Sequence, residues 1–178
     1  MHKDLDSILL SEAQISDIVE RIAKKIDEDF FGEEVEFIVV LKGSMPFATD
    51  LMRKVNVPLT IDFIQASSYG KGSKSTGEIL IKHELSEDIK GKNVIIIEDI
   101  IDSGNTLFKL KELLLKREPK SLKICSMLNK QDRREVDLYA DYIGAEIPDE
   151  FVVGYGLDYA EKYRELPYIG ILSRRVYE

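Results

Sequence analysis

The stretch Val94–Leu107, VIIIEDIIDSGNTL, decides how the rest of the chain is read. Its first half, Val94 to Ile97, is an unbroken β-branched run, the pattern of a strand buried on both faces of a parallel sheet. Glu98 and Asp99 follow, then Ile100 and Ile101, a third carboxylate at Asp102, and the small polar run Ser103-Gly104-Asn105-Thr106. From Leu107 the apolar residues recur at spacings of three and four (Leu107, Leu110, Leu113, Leu114), which predicts a helix. The order is strand, acidic edge, small-residue loop, helix N-terminus. In an open α/β sheet, ligands bind at the loops that follow strand carboxyl ends. A helix N-terminus adds unpaired N–H groups and the positive end of the macrodipole, both suited to a phosphate. Gly104 permits close backbone approach, and the hydroxyls of Ser103 and Thr106 are further donors. The plainer reading is an ordinary βα-turn, with Asp102 or Ser103 capping the helix and the acids solvated. Three carboxylates within five residues repel one another, however, and a cation or a polyhydroxylated ligand relieves that cost. The stretch is therefore read as a functional site.

Working outward, 178 residues suit one domain with a sizeable core, and 44% hydrophobic with 33% charged residues describe a globular chain without repeats. A net charge of −8 argues against a nucleic-acid binder, which would carry a basic face. For an enzyme of polyanionic substrates the acidity is tolerable where metal ions and backbone donors do the binding, so it favours a Mg²⁺-dependent site. The single cysteine, Cys125, lies in the apolar run SLKICSML and reads as a buried thiol, in keeping with a reducing cytoplasm. MHKDLDS contains no apolar leader-like region, and no run approaches membrane-spanning length.

Residues 12–29 form an amphipathic helix whose face is Ile15, Ile18, Val19, Ile22, Ala23 and Ile26, with Ser11 as N-cap. The acidic triplet Asp27-Glu28-Asp29 reads as its solvated end, without a role. Val35 to Leu41 is a buried strand ending in Lys42-Gly43-Ser44, and Pro46 opens a short helix reaching about Lys54. Lys-Gly there is either a tight turn or a second ligand loop. Leu59 to Ile64 is a further strand, followed by a long loop over residues 65–78. Its Gly70, Gly72 and Gly77, Lys71 and Lys74, and Tyr69 suit either a lid or a hairpin loop. His83 has no evident partner and reads as structural or exposed. Leu122 to Leu128 is the next strand and ends in Asn129-Lys130-Gln131; a lysine so placed is ordinarily solvated. Residues 138–147 form a short strand or hairpin. Residues 151–172 read as a strand, a Gly-rich turn, a short acidic helix and a last strand, with Phe151 beside Val152 and Val153 expected in the core.

Hydrophobic residues, Glu-Asp, two more hydrophobics and Asp-Ser-Gly-x-Thr resemble the phosphoribosyl-diphosphate-binding signature of the type I phosphoribosyltransferases. The spacing and lysine of a nucleoside-triphosphate P-loop are absent. Phe151-Val-Val-Gly-Tyr-Gly-Leu-Asp-Tyr159 is similar to a mark of the hypoxanthine–guanine members. The resemblance runs from about Ile38 to the end, with no departure at a motif position; Asn105 stands where some relatives have Lys. It implies an α/β fold with a central, mostly parallel twisted sheet flanked by helices and a small hood built from N- and C-terminal segments. Residues 1–178 are then a single phosphoribosyltransferase domain, with a lid over 65–78 and a base-binding hood segment over 151–172.

By the same resemblance, Leu41, Lys42 and Gly43 bind pyrophosphate, often through a non-proline cis peptide, and Ser68 and Tyr69 close over the reacting centre. Glu98 and Asp99 accept from the ribose hydroxyls, directly or through Mg²⁺. Residues 102–106 (Asp102, Ser103, Gly104, Asn105, Thr106) hold the 5′-phosphate. Asp102 is the catalytic residue, a proton acceptor near purine N7. Lys130 bonds the exocyclic oxygen of a 6-oxopurine, Phe151 stacks on the base, and the Val152 backbone reads the base edge. Asp158 coordinates Mg²⁺, and Arg164 binds pyrophosphate. The implied reaction is transfer of the phosphoribosyl group from phosphoribosyl diphosphate to N9 of hypoxanthine, and of guanine as well. Relatives are dimers or tetramers, so a homodimer or homotetramer is expected, with no nucleic-acid or membrane partner. Two alternatives remain at this point: a nucleotide-sensing regulator on the same fold, or an enzyme for another base such as xanthine. An RNA-binding regulator needs a basic face, and a DNA-binding one an added helix-turn-helix module.

Overall fold

The computed structural model describes residues 1–68 and 79–177. Nine strands and three α-helices are described there: β1 (Leu5–Leu10), α1 (Glu12–Asp29), β2 (Val35–Val40), α2 (Met45–Met52), β3 (Leu59–Ser68), β4 (Ile79–His83), β5 (Asn93–Ile101), α3 (Asn105–Leu115), β6 (Ser121–Asn129), β7 (Tyr142–Glu146), β8 (Val152–Val153) and β9 (Ile169–Leu172). Six strands form the main sheet in the order β4-β3-β2-β5-β6-β7. Within it β3, β2, β5, β6 and β7 run parallel and β4 is antiparallel to β3.

Alternation along the central strands sorts side chains to the two faces. Phe37 and Val39 of β2 and Ile95 and Ile97 of β5 pack with α1 and α2. Ile38, Val40, Val94 and Ile96 pack with Leu107, Leu110 and Leu114 of α3 on the other face. Helix α1 starts at a capping box: the Gln14 amide donates to Ser11 Oγ at 3.3 Å, and the Ser11 amide donates to Gln14 Oε1 at 2.9 Å. Ile15, Val19, Ile22, Ala23 and Ile26 are buried as the periodicity predicts.

A second sheet, β1-β9-β8, is antiparallel and forms the hood over the carboxyl ends of the main sheet. It carries its own small core of Leu5, Val153, Tyr163 and Leu172. The hood thus joins an N-terminal to a C-terminal segment, as the resemblance implies.

Four expectations are corrected. The strand expected to end at Ile64 runs on to Ser68, because Gln65 to Ser68 pair with β4; only the remainder of the 65–78 segment lies outside the described residues. The central strand also runs further, through Glu98 and Asp99 to Ile101, because Ile100 and Ile101 pair with Leu128 and Asn129. No acidic helix forms after Gly156. Ala160, Glu161 and Tyr163 have φ of 51°, 64° and 76°, which a right-handed helix excludes. Finally, two of the three acids of Asp27-Glu28-Asp29 are tied down, and Glu28 is exposed as expected. Asp27 accepts from the Asn56 and Val57 amides at 2.7 and 3.1 Å, and Asp29 meets Lys25 at 2.8 Å and Lys123 and the Tyr142 hydroxyl at 2.9 Å.

Candidate active site

Strand order reverses between β2 and β5: β3 lies beyond β2, and β6 and β7 lie beyond β5. The helix after β2 packs on one face and the helix after β5 on the other, so a crevice opens between their carboxyl ends, the usual ligand site of such sheets. Leu41–Gly43 follow β2, and Asp102–Thr106 follow β5, at its two rims. The Leu41–Lys42 peptide is cis.

Backbone proximity fixes the crevice. A Cβ at Gly43 would lie 1.5 Å from Asp99 Oδ2, so only glycine lets the Asp99 carboxylate rest on this turn. A Cβ at Gly156 would lie 1.9 Å from the Gly43 carbonyl oxygen, so the hood turn abuts the β2 loop backbone to backbone.

Successive residues of β5 point to opposite sides. Glu98 lines a small recess of about 140 Å³ formed with residues 102–106, of phosphate size. Asp99 lines a larger cleft of about 590 Å³, shared with Asp102, Lys130, Phe151, Val152 and Asp158. Gly104 has φ +82° and occupies the N-cap position of α3, so neither Asp102 nor Ser103 caps the helix. Ser103 Oγ accepts from the Asn105 amide at 3.4 Å. The loop is braced from outside itself: the Glu135 amide donates to the Ser103 carbonyl at 3.0 Å, and the Lys130 amide donates to the Ile101 carbonyl at 2.9 Å.

Phe151 is not a core residue. It is 38% exposed, lines the cleft, and stacks on Tyr177 with ring centroids 5.1 Å apart. Its neighbours Val152 and Val153, which form β8, are buried and supply the core contact instead, while Phe151 precedes the strand. Lys130 is 7% exposed, with its ammonium 3.7 Å from Asp149 Oδ1. These features, in this order around a switch-point crevice, match a known domain. Residues 7–160 correspond to the phosphoribosyl transferase domain. The chain belongs to that family.

The chain is 50% identical over 165 residues to the hypoxanthine phosphoribosyltransferase of Salmonella typhimurium, covering 92% of this chain and 93% of that protein. It is 45% identical over 177 residues to the bifunctional protein TilS/HprT of Listeria monocytogenes, covering 99% of this chain and spanning 27% of that longer protein. Its fold matches the crystal structure of a hypoxanthine phosphoribosyltransferase from Staphylococcus aureus with a TM-score of 0.97 at 46% identity, covering 100% of this chain and 97% of that one.

Within this phosphoribosyl transferase domain, the acidic pair at the end of β5 is only weakly compensated, with Arg164 acting on Asp99 at a distance. Burial and the adjacent Asp99 charge push Glu98 well above the usual carboxylate range, and burial raises Asp99 as well. Asp158 stands apart, its Oδ1 2.8 Å from Arg164 Nη2. Among the described residues no three His, Cys, Asp or Glu side chains gather into a metal cage. Mg²⁺ takes one or two carboxylates and completes its shell with water and substrate phosphates, and the adjacent Glu98 and Asp99 carboxylates are donors of that kind.

Four residues in or beside the cleft were not anticipated. Arg133 places Nε 2.8 Å from Asp102 Oδ1 and Nη1 3.2 Å from Asp149 Oδ1. Glu161 lies between Lys42 and Arg164, and Tyr177 backs Phe151. The dense charge of Gln131-Asp132-Arg133-Arg134-Glu135 was a signal for Arg133; nothing local marks Asp149, Glu161 or Tyr177. Ser68 ends β3, and Tyr69 lies outside the described residues. His83 is exposed.

Proposed function

We propose that this protein transfers the phosphoribosyl group of phosphoribosyl diphosphate to N9 of a 6-oxopurine, hypoxanthine first and guanine also, releasing pyrophosphate. What supports this is one observation above all: two strand-end loops, an adjacent acidic pair with raised pKa values and an aromatic–lysine wall converge on one switch-point crevice.

In this reading the first-turn N–H groups of α3 and the loop 102–106 hold the 5′-phosphate. Glu98 and Asp99 accept from the ribose hydroxyls and hold Mg²⁺, with Asp158 as a further carboxylate on the hood side. Bound there with substrate, Mg²⁺ would supply charge neutralisation to the departing pyrophosphate. Lys42, the Gly43 backbone and Arg164 bind that leaving group. Phe151 and Lys130 orient the purine, Lys130 donating to the 6-oxygen and the Val152 backbone reading the edge. As the C1–O bond to pyrophosphate breaks, N9 bonds to C1 and the base gives its proton to Asp102. Arg133 holds one oxygen of that carboxylate and so sets its direction. The reading extends to assembly as a homodimer or homotetramer and to a cytoplasmic location; among the described residues no helix is long and apolar enough to cross a membrane.

The test is nucleotide formation from phosphoribosyl diphosphate, Mg²⁺ and a panel of bases. Hypoxanthine and guanine are expected to react and uracil to fail. Turnover of none of the purines would overturn the reading.

A further inference from the structure

Lys42 comes from the end of β2 and Arg164 from the hood, 122 residues apart by their numbers, yet both point their charge at one carboxylate. Glu161 Oε2 accepts from Lys42 Nζ at 3.0 Å and lies 3.4 Å from Arg164 Nη2. Its side chain is 66% exposed. Arg164 is held without it. Arg164 Nη1 donates to the Gly156 carbonyl at 2.7 Å, Nη2 lies 2.8 Å from Asp158 Oδ1, and Gly156 rests on Gly43. Arg164 Nε is buried with no hydrogen-bond partner among the described residues, so the guanidinium is not saturated. Arg164, anchored on the Gly156 carbonyl and Asp158, and the half-exposed Lys42 converge on one exposed carboxylate, which makes an anion site with an internal anion in it.

We propose that Glu161 is a placeholder for the leaving group: its carboxylate occupies Lys42 and Arg164 in the empty site and must be displaced by the diphosphate. This rests on the phosphoribosyl-transfer reading, which assigns those two cations to pyrophosphate. A carboxylate resembles the oxygen face of a phosphate in charge and geometry, so it competes for the same donors. An internal competitor reduces apparent affinity by the fraction of molecules in which the site is already filled. Its consequence is a weakened grip on pyrophosphate, which assists product release while leaving the purine side untouched.

The experiment is calorimetric titration of the wild-type chain, Glu161→Gln and Glu161→Ala with pyrophosphate in excess Mg²⁺, beside hypoxanthine-nucleotide titrations and melting curves. Both variants are expected to bind pyrophosphate about two- to tenfold more tightly, the range that a pair of exposed ion pairs is worth. The gain is expected to shrink in high salt, and nucleotide affinity and melting temperature to stay level. A merely structural Glu161 would instead weaken pyrophosphate binding, and unchanged or weaker binding in either variant overturns the placeholder. Failure of the wild-type chain itself to bind pyrophosphate or form nucleotide strikes the phosphoribosyl-transfer reading, so the two failures are distinct.

Discussion

Two acidic runs in this chain look alike on paper and have opposite fates. Asp27-Glu28-Asp29 closes α1, and Glu98-Asp99 with Asp102 closes β5. In the first, donors arrive from three elements. Hydrogen bonds from Lys123 and Lys25, with one from Tyr142, hold the Asp29 carboxyl far below the usual range. In the second, no cation reaches Glu98, and burial with the Asp99 charge pushes it up. By linkage the signs oppose: a depressed carboxylate adds stability as pH rises through its range, and a raised one subtracts it. A saturated carboxylate cluster is architecture; an unsaturated one in a crevice is reserved for something that binds.

Removing the ligand side of that contrast gives the largest expected effect. Activity should fall to background in excess EDTA and return with Mg²⁺ or Mn²⁺; full turnover under chelation would break the comparison. Asp102→Asn comes next. General acid–base groups contribute about 10²–10⁴-fold, so kcat should drop by that order while KM for the sugar diphosphate holds. Asp102 is half exposed and caps no helix, so the melting curve should barely move. A near-normal kcat would reduce it to a loop-shaping residue.

Phe151→Ala should weaken purine and nucleotide binding by about 1–3 kcal/mol, the worth of base–aromatic stacking, with phosphoribosyl diphosphate binding level. Its exposure predicts a folded variant; unfolding with intact affinity would return Phe151 to the core. The smallest effect belongs to the architectural cluster. Asp29→Asn should cost about 1 kcal/mol of stability at pH 7 and nothing in kcat. Because the Asp29 pKa is lowered by folding, the wild-type advantage is complete above the ordinary aspartate range and fades as pH falls below about 4. Denaturant melts at pH 7 and pH 3 measure both ends, and a gap that widened in acid would reverse the assignment.

Much of the frame was legible because its signals are local. The β-branched run before Glu98, the 3–4 spacing of α1 with its Ser11 cap, and the leucines of α3 each declare an element within one or two turns. The small-residue loop was legible for the same reason, and so was its place after a buried strand. Strand β1 was not: its partner residues lie at the far end of the chain, Leu5 opposite Leu172, and two register shifts blur its alternation. The acidic run at 27–29 was misread because Asn56 and Lys123, which occupy it, are distant in sequence. Phe151 was misread from its own neighbourhood because a run of three apolar residues does not say which of them faces out.

The sequence by itself determined the α/β class, the central strand with its phosphate-sized loop, and the family of the chemistry. The first two follow from hydrophobic period and turn chemistry, which act over a few residues, and the third from the resemblance of two motifs to a known family. Only the tertiary structure decided what the charges do. Whether a carboxylate is saturated or waiting depends on which donors the fold carries to it. Lys42 reaches Glu161 across 119 residues through a glycine–glycine backbone contact and a turn of positive φ that no local pattern announces. Desolvation and countercharge are properties of the assembled crevice, so they were settled only when β2, β5 and the hood came together.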